Sequence, residues 1–206
     1  MRMEEIASIG RVIFVLNYSS VEDGVQTSTM LYKLGLRVFE ITLRSPVAID
    51  ILREVRKALP DDAFVGAGTI LSSDQLSAAI DAGASFGVSP GLTDRLAAAI
   101  KESALAFLPG VSNVSQAMRA SEQGFTMLKF YPAEAAGGVA YLQSMASILP
   151  TISFCPTGGI NQENLSQYLS LNNVACVGGS WMLKRTNDGV IDVDGTMESV
   201  KIALET

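Results

Sequence analysis

The hydrophobic positions of this chain come in short clusters rather than long stretches. Apolar, β-rich runs fall at residues 11–16, 37–43, 64–69, 85–89, 104–108, 126–131, 152–157 and 174–180, which predicts eight strands spaced roughly 20–25 residues apart. Between them the period changes to that of a helix. Ser45 followed by Pro46 reads as an N-cap with proline at the first helical position. From there Ala48, Ile51, Leu52, Val55 and Leu59 line one face, with Arg53, Arg56 and Lys57 off it. Ser72 with Gln75 fits a capping box that Gly83 closes in a left-handed turn. Ser112 opens a further helix ending at Gly124, and Asn161 caps another whose inner face is Leu165, Tyr168 and Leu169.

Strands that alternate with helices pair in parallel, and runs apolar on both faces suit strands covered on both sides. Eight such units in succession predict a (β/α)8 barrel of the TIM type in the α/β class, formed by one domain over residues 1–206. The rival is an open doubly wound sheet. Its glycine-rich dinucleotide fingerprint is missing from the first strand–helix junction, Asn17-Tyr18-Ser19-Ser20.

Composition narrows the function. The net charge is -6 and no basic run occurs, which argues against nucleic acid or an anionic membrane surface as partner. It leaves an anionic small molecule open. The apolar runs are too short to span a bilayer, and residues 1–10 have no apolar core of the kind a signal peptide needs. Cys155 and Cys176 sit in apolar runs, as buried thiols of a reducing compartment do, so the cytoplasm is the expected location. There is no histidine. Catalysis by a histidine base, a Ser-His-Asp or Cys-His pair, or a histidine-held metal is thereby excluded.

Working residues of a barrel gather at the carboxyl ends of its strands. Those ends here carry Glu40 and Arg44, Gly66-Ala67-Gly68-Thr69, Ser89-Pro90-Gly91, Lys129, Gly158-Gly159 and Gly178-Gly179-Ser180. Lys129 is the one lysine of six inside a predicted strand. A buried ammonium is costly unless it is paired or sheds its proton, and a neutral amine is what attacks a ketone. Lys129 is therefore either a nucleophile or a lysine that pairs or snorkels for stability. Glu40, buried in its own strand, is either its acid–base partner or half of a structural ion pair. Arg44 offers a two-pronged fork to a carboxylate, or forms an ordinary rim salt bridge with Asp50 or Glu54. The glycine pairs could present backbone amides to a phosphate, or be tight turns only.

Ordered blocks over residues 12–181 then resemble a known family. They are Phe39-Glu40-Ile41-Thr42-Leu43-Arg44, Val65-Gly66-Ala67-Gly68-Thr69, Val88-Ser89-Pro90-Gly91-Leu92-Thr93, Leu108-Pro109-Gly110-Val111-Ser112, Lys129-Phe130-Tyr131-Pro132-Ala133-Glu134, Cys155-Pro156-Thr157-Gly158-Gly159-Ile160 and Gly178-Gly179-Ser180-Trp181. Together they resemble the class I aldolases of 2-keto-3-deoxy-6-phosphogluconate (KDPG) and 4-hydroxy-2-oxoglutarate (KHG). The resemblance implies a Schiff base on Lys129 and proton shuttling by Glu40. It implies that Arg44 and Thr69 hold the pyruvyl carboxylate, with Pro90 shaping that side. Amides around Gly158, Gly159 and Gly179, with the Ser180 hydroxyl, would take the phosphate of a phosphorylated 2-keto acid. It implies no cofactor and no metal, and a homotrimer. Three positions depart from common family usage: Ile13 for proline, Asn17 for arginine and Tyr131 for phenylalanine. They leave open the galactonate epimer or KHG as preferred substrate. A non-catalytic phosphosugar-binding barrel is the alternative from another class.

Overall fold

The computed structural model describes residues 2–206, so of the predicted domain Met1 lies outside the described residues. The strands are β1 (Val12–Leu16), β2 (Val38–Thr42), β3 (Phe64–Gly68), β4 (Phe86–Val88), β5 (Ala106–Leu108), β6 (Gly110–Val111), β7 (Met127–Phe130), β8 (Ser153–Pro156) and β9 (Val177–Gly179). The helices are α1 (Met3–Ile9), α2 (Val21–Lys33), α3 (Ala48–Ala58), α4 (Ser73–Asp81), α5 (Asp94–Glu102), α6 (Val114–Glu122), α7 (Gly138–Ala146), α8 (Leu165–Leu169) and α9 (Val193–Glu205). Every ladder between these strands is parallel. Six strands pair in the order β5-β4-β3-β2-β1-β9 and three in the order β6-β7-β8, giving a curled parallel sheet in two arrays.

All eight predicted runs contain a strand, and just beyond the fifth the chain makes an additional short strand, β6. Proline has no N–H to donate, and at Pro109 the chain leaves β4 for β7: the Ser89 amide donates to Leu108 O at 3.2 Å, while the Lys129 amide donates to Pro109 O at 2.9 Å. Gly110 is needed at this crossing, because a β-carbon there would stand 2.6 Å from Ser89 O and closer still to Pro90. On the other margin, isolated parallel bridges Phe154↔Val174 and Thr157↔Gly178 join β8 to the segment of β9.

Three predicted helix starts are corrected. Residue Ser45 does not cap α3: the chain makes a turn from Ser45 O to the Ala48 amide, 3.1 Å, and the helix begins after Val47. Asn113, not Ser112, caps α6 by accepting from the Gln116 amide. Asn161 accepts the amides of Glu163 and Asn164, at 2.8 and 3.1 Å, in a turn that precedes the short α8. The predicted inner faces hold nevertheless. Ile51, Leu52, Val55, Leu165 and Tyr168 are all buried. Ser72 caps α4 as predicted, and Gly83 follows that helix with φ +86°.

Alternation along the strands divides the core. Val12, Phe14, Phe39, Ile41, Val65, Leu128 and Phe154 pack outward against the helices. Ile13, Val38, Phe86, Val88, Met127, Cys155 and Cys176 form a separate inner cluster, closed at the amino-terminal end of the strands by Met3, Ile6 and Ala7 of α1. The residues that follow in the inner rows, Glu40, Thr42, Lys129 and Thr157, are buried and polar. The site thus stands on an apolar floor. Among the described residues no helix is long and apolar enough to cross a membrane.

Candidate active site

Lys129 and Glu40 meet on this inner face. Lys129 Nζ lies 3.3 Å from Glu40 Oε1, with the residues 5 % and 2 % exposed. Water therefore screens the pair little, and each group is held by the other. Glu40 lies over Gly68 on the neighbouring strand: any β-carbon at Gly68 would stand 2.6 Å from Glu40 Cγ and closer still to Oε1. The glycine makes the space that the carboxylate fills. Nζ also lies 5.4 Å from the centroid of the Tyr131 ring, within reach of a cation–π contact. A cis peptide bond joins Tyr131 to Pro132.

Around this pair the predicted residues divide into those fixed by the backbone and those free at the rim. Thr69, immediately after β3, is the one non-glycine residue of positive φ among the described residues, at +60°. Such a conformation costs on the order of 1 kcal/mol; here the flanking bonds Leu43 N to Gly68 O, 2.8 Å, and Ile70 N to Val88 O, 3.0 Å, impose it. Pro90 is half-buried behind β4, beside Gly110. Arg44 is exposed and lines a cleft with Asn17, Ser19, Asp23, Ser45 and Arg185. The rim salt bridges weighed for it do not form, because Asp50 pairs with Arg53 at 2.6 Å and Glu54 with Lys57 at 2.7 Å. Asn17 Oδ1 instead accepts from the Thr42 hydroxyl at 3.3 Å.

The glycine turn after β8 is arranged by its carbonyls. Gly158 and Gly159 have φ of +99° and +84°, a conformation that favours glycine. Thr157 O accepts from the Ala133 amide at 2.8 Å, Gly158 O from the Glu134 amide at 3.1 Å and Gly159 O from Asn164 Nδ2 at 3.0 Å. In a trans peptide the N–H points opposite to the C=O. With each carbonyl engaged, the amides of Gly158, Gly159 and Ile160 point away from those donors, and they have no hydrogen-bond partner among the described residues. Ser180, exposed directly after β9, stands beside this turn because Gly178 bridges to Thr157. Such a cluster of free amides and a hydroxyl suits an anion. Lys129 is in register with Cys155, so Gly158 lies about three residues, or ~10 Å, further along the strand direction.

A family model described as KDPG and KHG aldolase matches residues 3–195. The chain belongs to this family. It is 43% identical over 180 residues to the KHG/KDPG aldolase of Escherichia coli K12, covering 87% of this chain and 84% of that one. Among solved structures, the KDPG aldolase of Zymomonas mobilis ZM4 with 3-phosphoglycerate superposes with a TM-score of 0.91 at 37% identity, covering 98% of this chain and 94% of that one. The KDPG aldolase of Legionella pneumophila, with pyruvate captured as a covalent carbinolamine, gives 0.90 at 35% identity, covering 100% and 98%. A structure described as native KDPGal shares the fold at 24% identity and a TM-score of 0.83.

Several members of the site were not legible as such. Ser89 is fully buried and its hydroxyl has no partner among the described residues, although its Ser-Pro-Gly block marked the place. Arg185 lies beyond the ordered blocks of residues 12–181. It bonds both oxygens of Asp23 at 3.1 Å, and a bridge of Arg185 with Ile191 forms a small hairpin. Neither feature carries a periodic or spacing signal.

Proposed function

We propose that this family member is a class I aldolase that cleaves KDPG to pyruvate and glyceraldehyde 3-phosphate, and KHG to pyruvate and glyoxylate. The observation that carries the reading is the buried contact of 3.3 Å between Lys129 and Glu40. In this reading Glu40 accepts a proton from the Lys129 ammonium, and the freed amine attacks the C2 ketone. Glu40 then supplies the proton that lets the carbinolamine lose water, giving a protonated imine. Next it takes the proton of the C4 hydroxyl as the C3–C4 bond breaks. The electron pair of that bond flows into the imine, leaving an enamine and releasing the aldehyde. Protonation at C3 and hydrolysis return pyruvate and free amine, so no external oxidant or reductant is needed. The Legionella relative, with its covalent pyruvate carbinolamine, supports the first steps.

Arg44 and Thr69 hold the pyruvyl carboxylate and Pro90 bounds it. The amides of Gly158 and Gly159, with Gly179 and the Ser180 hydroxyl, hold the phosphate. The ~10 Å between the levels of Lys129 and Gly158 suits an extended six-carbon acid with its ketone at one end and its phosphate at the other. We propose further that the two strand arrays form one closed (β/α)8 barrel in a single domain, that the protein assembles as a homotrimer and that it works in the cytoplasm.

The test is borohydride reduction in the presence of pyruvate, followed by peptide mass spectrometry. One reduced pyruvate on the peptide bearing Lys129 is expected. Pyruvate that binds but leaves no adduct there would make Lys129 a structural lysine and overturn the mechanism.

A further inference from the structure

The Gly158-Gly159 turn leans on two side chains that the chemistry above does not use. Glu134 follows β7 and lies behind the turn. A β-carbon at Gly159 would stand 2.5 Å from Glu134 Cγ and 2.8 Å from its Cβ, so the glycine backbone rests directly on this side chain. The Glu134 amide is also the donor that holds Gly158 O. Its Oε1 accepts a hydrogen bond from the hydroxyl of Tyr168, whose ring is fully buried on α8. Burial first, and the Glu134 bond second, push the Tyr168 hydroxyl well above its ordinary range, so it stays a donor across all working pH. Gly138 leaves the pair its space: a β-carbon there would stand 3.2 Å from Glu134 Oε1 and 3.3 Å from the Tyr168 hydroxyl.

A carboxylate so close to a phosphate site needs an explanation, because like charges repel. The hydroxyl of Tyr168 supplies one by donating to the carboxylate and fixing where it lies, while the Glu134 stem packs against Gly159. We infer that Glu134 and Tyr168 are positioning residues for phosphate recognition: tethered by Tyr168, Glu134 props the glycine turn so that its three amides face the substrate's phosphate. The inference rests on the phosphate reading given above and deepens it. Neither residue touches substrate, and both act through the turn.

The experiment compares Tyr168→Phe, Glu134→Ala and Glu134→Gln with the wild-type enzyme on KDPG and on unphosphorylated KHG, with inorganic phosphate as competitive inhibitor. Tyr168→Phe and Glu134→Ala are expected to raise KM for KDPG and the inhibition constant of phosphate by about ten-fold, with kcat and the KHG constants within about two-fold. Glu134→Gln keeps the packing and an oxygen acceptor for Tyr168, so it is expected to rescue most of the loss. Glu134 is exposed, so its variants report even if Tyr168→Phe fails to fold. Equal losses on both substrates, unchanged constants throughout, or a Gln variant as impaired as Ala would overturn the positioning role alone. A wild-type enzyme that neither prefers KDPG nor responds to phosphate would sink the phosphate reading itself, and this inference with it.

Discussion

Along β2 and β7 the inner face changes character within two residues. Val38 and Met127 lie in an apolar cluster that α1 closes, whereas Glu40 and Lys129, one step on, form a buried ion pair. The same strands build both levels, so the difference lies in side chains and not in backbone. Below, every group is satisfied by contact. Above lie a buried charge pair, a threonine at positive φ and a turn with three free amides. The lower level can supply stability because it does no chemistry, and the upper level can hold strained or unpaired groups because the lower one supports it.

Four substitutions test this division, in order of expected effect. Lys129→Ala strikes the upper level at its centre. Turnover of KDPG should fall by roughly 10⁴-fold or more, with no pyruvate adduct after borohydride; an adduct elsewhere with retained turnover would move the nucleophile. Glu40→Gln should slow turnover by roughly 10²–10⁴-fold while pyruvate binding persists. Because it leaves Lys129 without its counter-charge, some loss of stability should accompany it, read as a lower midpoint in denaturant. Ile6→Ala cuts into the lower level beneath the site. It should cost about 2–5 kcal/mol of unfolding free energy and leave KM for KDPG unchanged at a temperature where the protein stays folded. A changed KM there would show that the two levels are coupled. The smallest effect is expected from Ser180→Ala, which should raise KM for KDPG by roughly ten-fold and leave KHG turnover alone.

Much of this arrangement was legible in the chain. Charged residues inside apolar runs stand out, so Lys129 and Glu40 could be singled out, and short β-rich apolar runs flanked by helical segments located the strands. What escaped has physical reasons. Three caps were misplaced because Ser45 and Val47, Ser112 and Asn113, and Asn161 and Asn164 sit within a turn of one another, and docking against the sheet decides which begins the helix. Helix α1 was overlooked because seven residues carry too few turns for a visible period. The break at Pro109 depends on which neighbour each side of it pairs with, a property of how the strands are arranged in space and not of the local sequence. The Glu134–Tyr168 contact joins residues 34 apart in sequence, one of which read as core and the other as part of a family block.

Gly68 has a consequence for how this site can change over generations. Its missing side chain is the space in which Glu40 lies, so positions 40 and 68 have a shared fate. A substitution that adds even one carbon at 68 displaces the carboxylate, and its effect depends on what occupies 40. The carboxylate of Glu40 and the empty place beside it are therefore expected to change together. A side chain at 68 would have to be met by a shorter or displaced one at 40, so the neighbouring strand carries part of what defines the place of this carboxylate.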